Sequence, residues 1–181
     1  VVSGANTQVG VAQNPLVLPT SRVLLMQLEI PLTTVRNALQ LARRNGALTV
    51  LNPAPFKALD AGVLSLVDVI VPNETESAAC GGTQALVDAG VKTVLTTLGE
   101  RGALINTHTS ATSIAPHKVV AVDTVGAGDA FIGALSAELA RGATISDAAA
   151  VGAVAGALAT TVHGAVPSLP TQTSVRSAMN K

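Results

Sequence analysis

Asp123 to Phe131 read DTVGAGDAF, and the fold follows from what this stretch asks of the chain around it. Gly126 and Gly128 let the backbone turn tightly and come close to a ligand with no Cβ in the way. An apolar run takes over at once, and its spacing predicts a helix over 127–141. The first N–H groups of such a helix have no intrahelical partner, and the helix dipole favours negative charge beside them. The stretch therefore reads as an anion cradle at a helix start. Asp129 stands at the same positive end. As an ordinary first-turn aspartate it stabilises the helix by roughly 0.3–1 kcal/mol. As a general base it would take a proton from a hydroxyl beside a held phosphoryl group, which is kinase chemistry. No lysine follows the glycines as a Walker loop requires, and Phe131 occupies the place of the third glycine of a dinucleotide fingerprint.

Outward from this stretch, short apolar runs alternate with helical patterns. Strands are predicted at 23–28, 47–55, 68–74, within 92–106 on either side of a loop at 99–102, and at 118–122, where KVVAV leads into the cradle. Helices are predicted at 31–46, 58–67, 83–90, 127–141, about 145–162, and from near Gln172. Such alternation, with strands that are near-continuous apolar runs, predicts an α/β fold with a mostly parallel sheet covered on both faces. In such sheets ligands bind beyond the carboxyl ends of the strands. Glu29, Asn52, Asn73 with Glu76, Thr97 with Gly99, and the stretch 123–129 all fall at predicted strand ends, so they are expected to line one crevice.

Composition narrows the function classes. Lysine plus arginine equals aspartate plus glutamate at 11 each, and Phe56 and Phe131 are the only aromatics, which excludes a basic, base-stacking face for nucleic acid. The longest small-apolar run, 148–162, is shorter than the ~20 residues of a membrane span. Cys80 is the single cysteine, so no intrachain disulfide forms, and it reads as a small buried residue. A cytoplasmic location is the expectation. His108, His117 and His163 lack metal-ligand spacing. Asp60, Asp68, Asp88 and Asp147 read as caps at element ends, and Arg43 and Arg44 as a solvated helix end. The first residues, VVSGAN, read as the end of a strand and its turn, from which a preceding N-terminal part is expected.

DTVGAGDAFIGALS (123–136) matches the second signature of the ribokinase-like, or PfkB, carbohydrate kinases throughout. PNETE (72–76) resembles that family's Asn-x-x-Glu motif, and MQLE (26–29), NPAP (52–55), TLGERG (97–102) and GAVPS (164–168) resemble family segments in the same order. The resemblance implies residues 1–181 as a single α/β domain, the C-terminal nucleotide-binding and catalytic portion of a three-layer, Rossmann-like α/β/α fold without its lid. It implies ATP-dependent phosphorylation of D-ribose at the 5-hydroxyl, with another sugar or nucleoside kinase of the family, or a non-catalytic nucleotide-binding fragment, as the alternatives.

Carried onto this chain, the resemblance implies Asp129 as base and the N–H groups of Gly126, Ala127, Gly128 and Asp129 as the anion hole. Asn73 and Glu76 would place Mg²⁺, its waters and the ATP phosphates. Thr97, Leu98, Gly99, Glu100, Arg101 and Gly102 would hold the nucleotide, and Glu29 would join Asp129 at the sugar. Asp123, Val125, Ala159, Val162, Gly164 and Ser168 would surround K⁺, largely through carbonyls. The longer protein is implied to be a homodimer. Three departures stand out: the family's Gly-Gly-Lys-Gly-Ala-Asn motif is absent, the stretch between PNETE and TLGERG is short, and Ala153 replaces the usual Asn or His.

Overall fold

Four short strands, each followed by helix, make the first half of the chain. In the computed structural model, which describes residues 4–10 and 16–180, these are β1 (Val23–Met26), β2 (Leu48–Leu51), β3 (Val69–Ile70) and β4 (Thr93–Thr97). They pair in chain order and all in parallel, with Val23 opposite Leu48, Val50 opposite Val69, and Val69 opposite Thr93. Parallel neighbours need crossovers. Here these are α1 (Leu32–Arg44), α2 (Ala61–Leu64), and the pair α3 (Glu74–Ala79) and α4 (Gly82–Asp88). Val1–Ser3 of the VVSGAN stretch lie outside the described residues, and its remainder enters a 3₁₀ turn, Ala5–Gln8.

The chain divides into two compact units, 1–96 with 106–110, and 97–105 with 111–181. The core of the first gathers Leu28, Leu39, Leu51, Ile70, Leu86 and Val94, all fully buried. Burying each such leucine contributes roughly 1.5–3 kcal/mol. The buried α1 residues, Val35, Leu39 and Ala42 among them, recur at the spacing of one helical face. Cys80 ends α3 and packs partly against the same cluster. Burial, with the Glu76 charge nearby, pushes its thiol pKa up, as a packing role requires.

Asp68 is not the simple cap that its place at a strand end predicts. It is nearly buried just before β3, and the Thr49 N–H donates to its Oδ2 at 2.9 Å. Lys92 and Arg43 approach its Oδ1 at 2.7 and 3.4 Å. Arg43 is therefore half of an ion pair rather than a purely solvated helix end. Burial alone would raise the Asp68 carboxyl, but the Lys92 ammonium and the Thr49 N–H outweigh it and hold the pKa below the usual 3.8. Asp60 does behave as a cap, accepting from the Val63 N–H, but Asp147 does not: it sits in the first turn of its helix, and Thr144 is the cap that accepts from the Asp147 N–H.

The second unit is built on three helices, α5 (Ala127–Arg141), α6 (Ile145–Ala159) and α7 (Gln172–Met179). Two glycines set the distance between α5 and α6. A Cβ at Gly152 would stand 3.0 Å from the Phe131 carbonyl, and one at Gly156 would stand 3.1 Å from the Ala127 carbonyl. Backbone thus lies on backbone, at the turn of α5 that carries Gly126 to Asp129. Val175 of α7 packs on Val151, Val154 and Ala155. The buried Glu138 carboxylate ties α5 to α7, with Arg141 and Arg176 each 2.8 Å from its Oε1.

Two predicted elements differ. Residues 118–122 are not a strand: Val120 is 86% exposed, and the Val122 N–H goes to the Thr160 carbonyl instead of a neighbouring strand. The strand that follows β5 (Ala103–Thr107) is instead β6 (Ala111–Ile114), polar enough to escape a reading by apolar runs. Helix α3 was likewise absent from the sequence expectation, because PNETE reads as the end of a strand.

Two outcomes test these contacts. Gly156→Val forces side-chain atoms against the Ala127 carbonyl, and overpacking of this kind costs ~1–3 kcal/mol. Gly133→Ala, where an added Cβ meets open space, gains up to about 1 kcal/mol from helix propensity. Urea midpoints should move in opposite directions. Asp68→Asn should lose about 1.5–3 kcal/mol at pH 7, the scale of hydrogen bonds to a charged group. The folded Asp68 pKa lies below its unfolded value, so its contribution is complete above the unfolded value and disappears as pH falls through the folded one. Denaturation curves of the two proteins should therefore converge below about pH 4, the ordinary range of an aspartate.

Candidate functional site

The turn expected to form a cradle leads directly into α5, and its shape has a steric cause. Gly126 precedes α5 with φ of 83°, and a Cβ there would lie 3.1 Å from the Ala165 Cα. Both constraints require glycine. No side chain caps this helix start. The Ala130 N–H is satisfied by the Gly126 carbonyl at 2.9 Å, and the Ala127 N–H reaches the Thr124 carbonyl at 3.3 Å. Gly128 and Asp129 follow, in the first turn, where N–H groups have no intrahelical acceptor. Around Gly128 a Cβ would meet nothing within 4 Å, and Asp129 is exposed. Asp129 also marks one end of a cavity of about 400 Å³ between α5, α6 and α7.

Asp123 stitches the turn before the cradle to the loop after α6. The Val125 N–H donates to its Oδ1 at 3.0 Å and the Gly164 N–H to its Oδ2 at 2.9 Å. The N–H groups of Val122 and Asp123 both donate to the Thr160 carbonyl, at 2.7 and 3.0 Å. The Gly164 N–H above all, then that of Val125, holds the Asp123 carboxyl below the usual range. His163 Nδ1 lies 3.9 Å from Oδ2.

The residues expected around a monovalent cation thus share one loop system. Asp123 and Gly164 are directly bonded, Val125 and Val162 are exposed, and Ala159 and Ser168 are buried. The Ser168 hydroxyl donates to the Ala165 carbonyl at 2.9 Å, and its N–H donates to that of Gly164 at 3.2 Å. Carboxylate and carbonyl oxygens make a donor set suited to a hard cation.

The nucleotide loop predicted at 97–102 is also in the second unit. Gly99–Arg101 form a 3₁₀ turn, closed by the Leu98 N–H on the Gly102 carbonyl at 2.8 Å. Gly102 has φ of 86°, and a Cβ would fall 2.1 Å from the Ile114 carbonyl oxygen, so no other residue fits without moving the chain. Thr97 is half-buried, and Glu100 and Arg101 are exposed.

Three predicted positions belong to the first unit. Asn73 and Glu76 form a capping box at the start of α3: the Glu76 N–H donates to Asn73 Oδ1 at 2.8 Å, and the Asn73 N–H to Glu76 Oε2 at 2.9 Å. The spacing that marks the motif is thus also the spacing of a reciprocal helix cap. Glu76 keeps its second oxygen for a further partner. Among the described residues no group of three or more His, Cys, Asp or Glu could hold a metal ion. Glu29, exposed beyond β1, accepts from Asn6 Nδ2 at 3.1 Å. Asn6 was not singled out from the sequence; its one visible signal is the SGAN turn. Asn52 is corrected. It does not line a crevice: it is 9% exposed and donates to the Val71 carbonyl at 2.9 Å, a strap between two strand ends.

Residues 8–172 match the pfkB family carbohydrate kinase pattern. The chain is 40% identical over 157 residues to a ribokinase of Staphylococcus aureus (80% of this chain, 52% of that protein). It is 36% identical over 187 residues to a ribokinase of Haemophilus influenzae (95% and 61%). A crystal structure of ribokinase from Thermotoga maritima superposes with a TM-score of 0.80 at 31% identity, covering 89% of this chain and 57% of that one. The structure of Arabidopsis thaliana ribokinase complexed with ribose and ATP gives a TM-score of 0.81 at 28% identity, covering 88% and 56%. The chain thus spans little more than half the length of these proteins, and its fold is the three-layer α/β architecture they share. No helix among the described residues is long and apolar enough to cross a membrane.

The Asp123 stitch has a local readout. Asp123→Ala removes the acceptor for two N–H groups at once, those of Val125 and Gly164. Hydrogen–deuterium exchange should accelerate in peptides covering 124–126 and 161–168, with the α6 core at 151–158 unchanged. Unaltered exchange in those loops would show that the carboxylate is not what holds them.

Proposed function

The chain belongs to the pfkB family of carbohydrate kinases, and we propose that the protein transfers the γ-phosphoryl group of ATP to the 5-hydroxyl of D-ribose. The observation that carries this reading is the start of α5: a left-handed Gly126, no side-chain cap, open space at Gly128 and an exposed Asp129 in the first turn. The ribokinase relatives support ribose as the sugar.

In this reading Asp129 accepts the proton of the attacking hydroxyl. The N–H groups of Gly126, Ala127, Gly128 and Asp129 receive the oxygens of the transferring phosphoryl group. They are fixed before the substrate arrives, so they stabilise developing charge without reorganising. The loop 97–102 holds the nucleotide, and Glu29 holds the sugar. Asn73 and Glu76 would hold Mg²⁺ through water and help orient the phosphates. Asp123, Val125, Ala159, Val162, Gly164 and Ser168 would hold K⁺. When bound, the two cations would offset phosphate charge.

The test uses the whole protein. Ribose-dependent ADP release should require Mg²⁺ and rise with K⁺. Asp129→Asn keeps every backbone N–H but removes the base, so turnover should fall by ~10²–10⁴-fold while ATP affinity stays close to that of the unaltered protein. Near-normal phosphoryl transfer by this variant would overturn the assignment of Asp129.

A further inference from the structure

Glu29 is held by its neighbours on both sides while its own side chain is exposed. The Leu28 N–H donates to the Ala54 carbonyl at 2.9 Å, and Lys57 Nζ donates to the Ile30 carbonyl at 3.2 Å. The backbone at 28–30 is therefore fixed, but a glutamate side chain keeps several rotatable bonds, whose freedom must be lost when it binds a ligand. The 3.1 Å bond from Asn6 Nδ2 to Glu29 Oε2 removes part of that freedom in advance. A carboxylate only accepts, so asparagine, and not its isostere aspartate, can fill this place. The bond occupies one carboxylate oxygen and leaves Oε1 for a hydroxyl.

The position of Asn6 has its own support. It belongs to the 3₁₀ turn Ala5–Gln8, and the following residues are docked on the start of α1. The buried Thr34 donates its hydroxyl to the Val9 carbonyl at 2.8 Å. At Gly10 a Cβ would lie 2.5 Å from Thr34 Cγ2, so the chain passes Thr34 in close contact. The turn bearing Asn6 and the strand end bearing Glu29 are thus both anchored within the first unit, far apart in sequence.

We infer that Asn6 is a positioning residue for the sugar site: its amide orients the Glu29 carboxylate so that the free oxygen meets a sugar hydroxyl. This rests on the reading of Glu29 as a sugar contact. Losing the preorganised side chain should weaken sugar binding by about ten-fold, the scale of immobilising one flexible side chain on binding.

The experiment is calorimetric titration of the whole protein with ribose and, separately, with ATP and Mg²⁺, for the unaltered protein, Asn6→Ala and Asn6→Asp. The expected result is a roughly ten-fold weaker ribose Kd for Asn6→Ala. A larger loss is expected for Asn6→Asp, which sets two like charges side by side. ATP binding and Tm should stay unchanged in both. A packing role would give the opposite order, because aspartate preserves the shape that alanine removes. Ribose Kd values within about two-fold of the unaltered protein, or a parallel loss of ATP affinity or Tm, would overturn the inference. If the unaltered protein binds neither ribose nor another pentose or hexose, the functional reading itself fails and takes this inference with it.

Discussion

The close approach of α6 to the first turn of α5 is the constraint on which the second unit depends. Gly156 faces the Ala127 carbonyl and Gly152 the Phe131 carbonyl, so closely that an added Cβ at either would press on the carbonyl. Helices packed through side chains stand 8–10 Å apart and tolerate small adjustments. Helices packed backbone on backbone have far less latitude. The consequence is local rigidity at Ala127, one residue past the left-handed Gly126, and so at the N–H groups that follow it. Glycines on the neighbouring helix supply that rigidity.

A second device acts on the same turn. Asp123 accepts from Val125 on one side and Gly164 on the other, so the turn entering α5 and the loop leaving α6 move together or not at all. Gly126 is pressed against Ala165 within the same loop. Helix packing thus fixes the turn at Gly126 through α6, and hydrogen bonds fix it through the loop that follows α6. Deeper in the same unit, Glu138 with its two arginines closes the far end of α5 onto α7.

The first unit is organised differently. Its four parallel strands are short, and polar groups at their ends act as straps: Asn52 to Val71, and Asp68 to Thr49, Lys92 and Arg43. Such straps compensate for strands of two to five residues, which offer few ladder bonds. The Asn73–Glu76 box shows how one spacing serves two ends. It caps α3 reciprocally, and it holds a carboxylate with one oxygen uncommitted just beyond β3. A motif read for its chemistry therefore also has a local structural reason to exist.

Periodicity and turn chemistry by themselves determined the α/β class, the order of most elements and the limits of α5, which runs from Ala127 to Arg141 as the spacing predicts. They also determined the tight turn at Gly126, since two glycines before an apolar helix have a backbone meaning that needs no neighbour. Reading by apolar runs failed where the deciding partner is distant in sequence. KVVAV is apolar enough for a strand, yet its Val122 N–H is taken by Thr160, and the strand forms at the polar 111–114 instead. Asp68 looked like a cap until Lys92 and Arg43 came to it, and Asn52 looked like a site residue until Val71 took its amide. The bond from Asn6 to Glu29 leaves no periodic trace at all. Local preference is written over a few neighbouring residues, whereas partners brought together by the folded chain are chosen by geometry in space, and only the tertiary structure decides them.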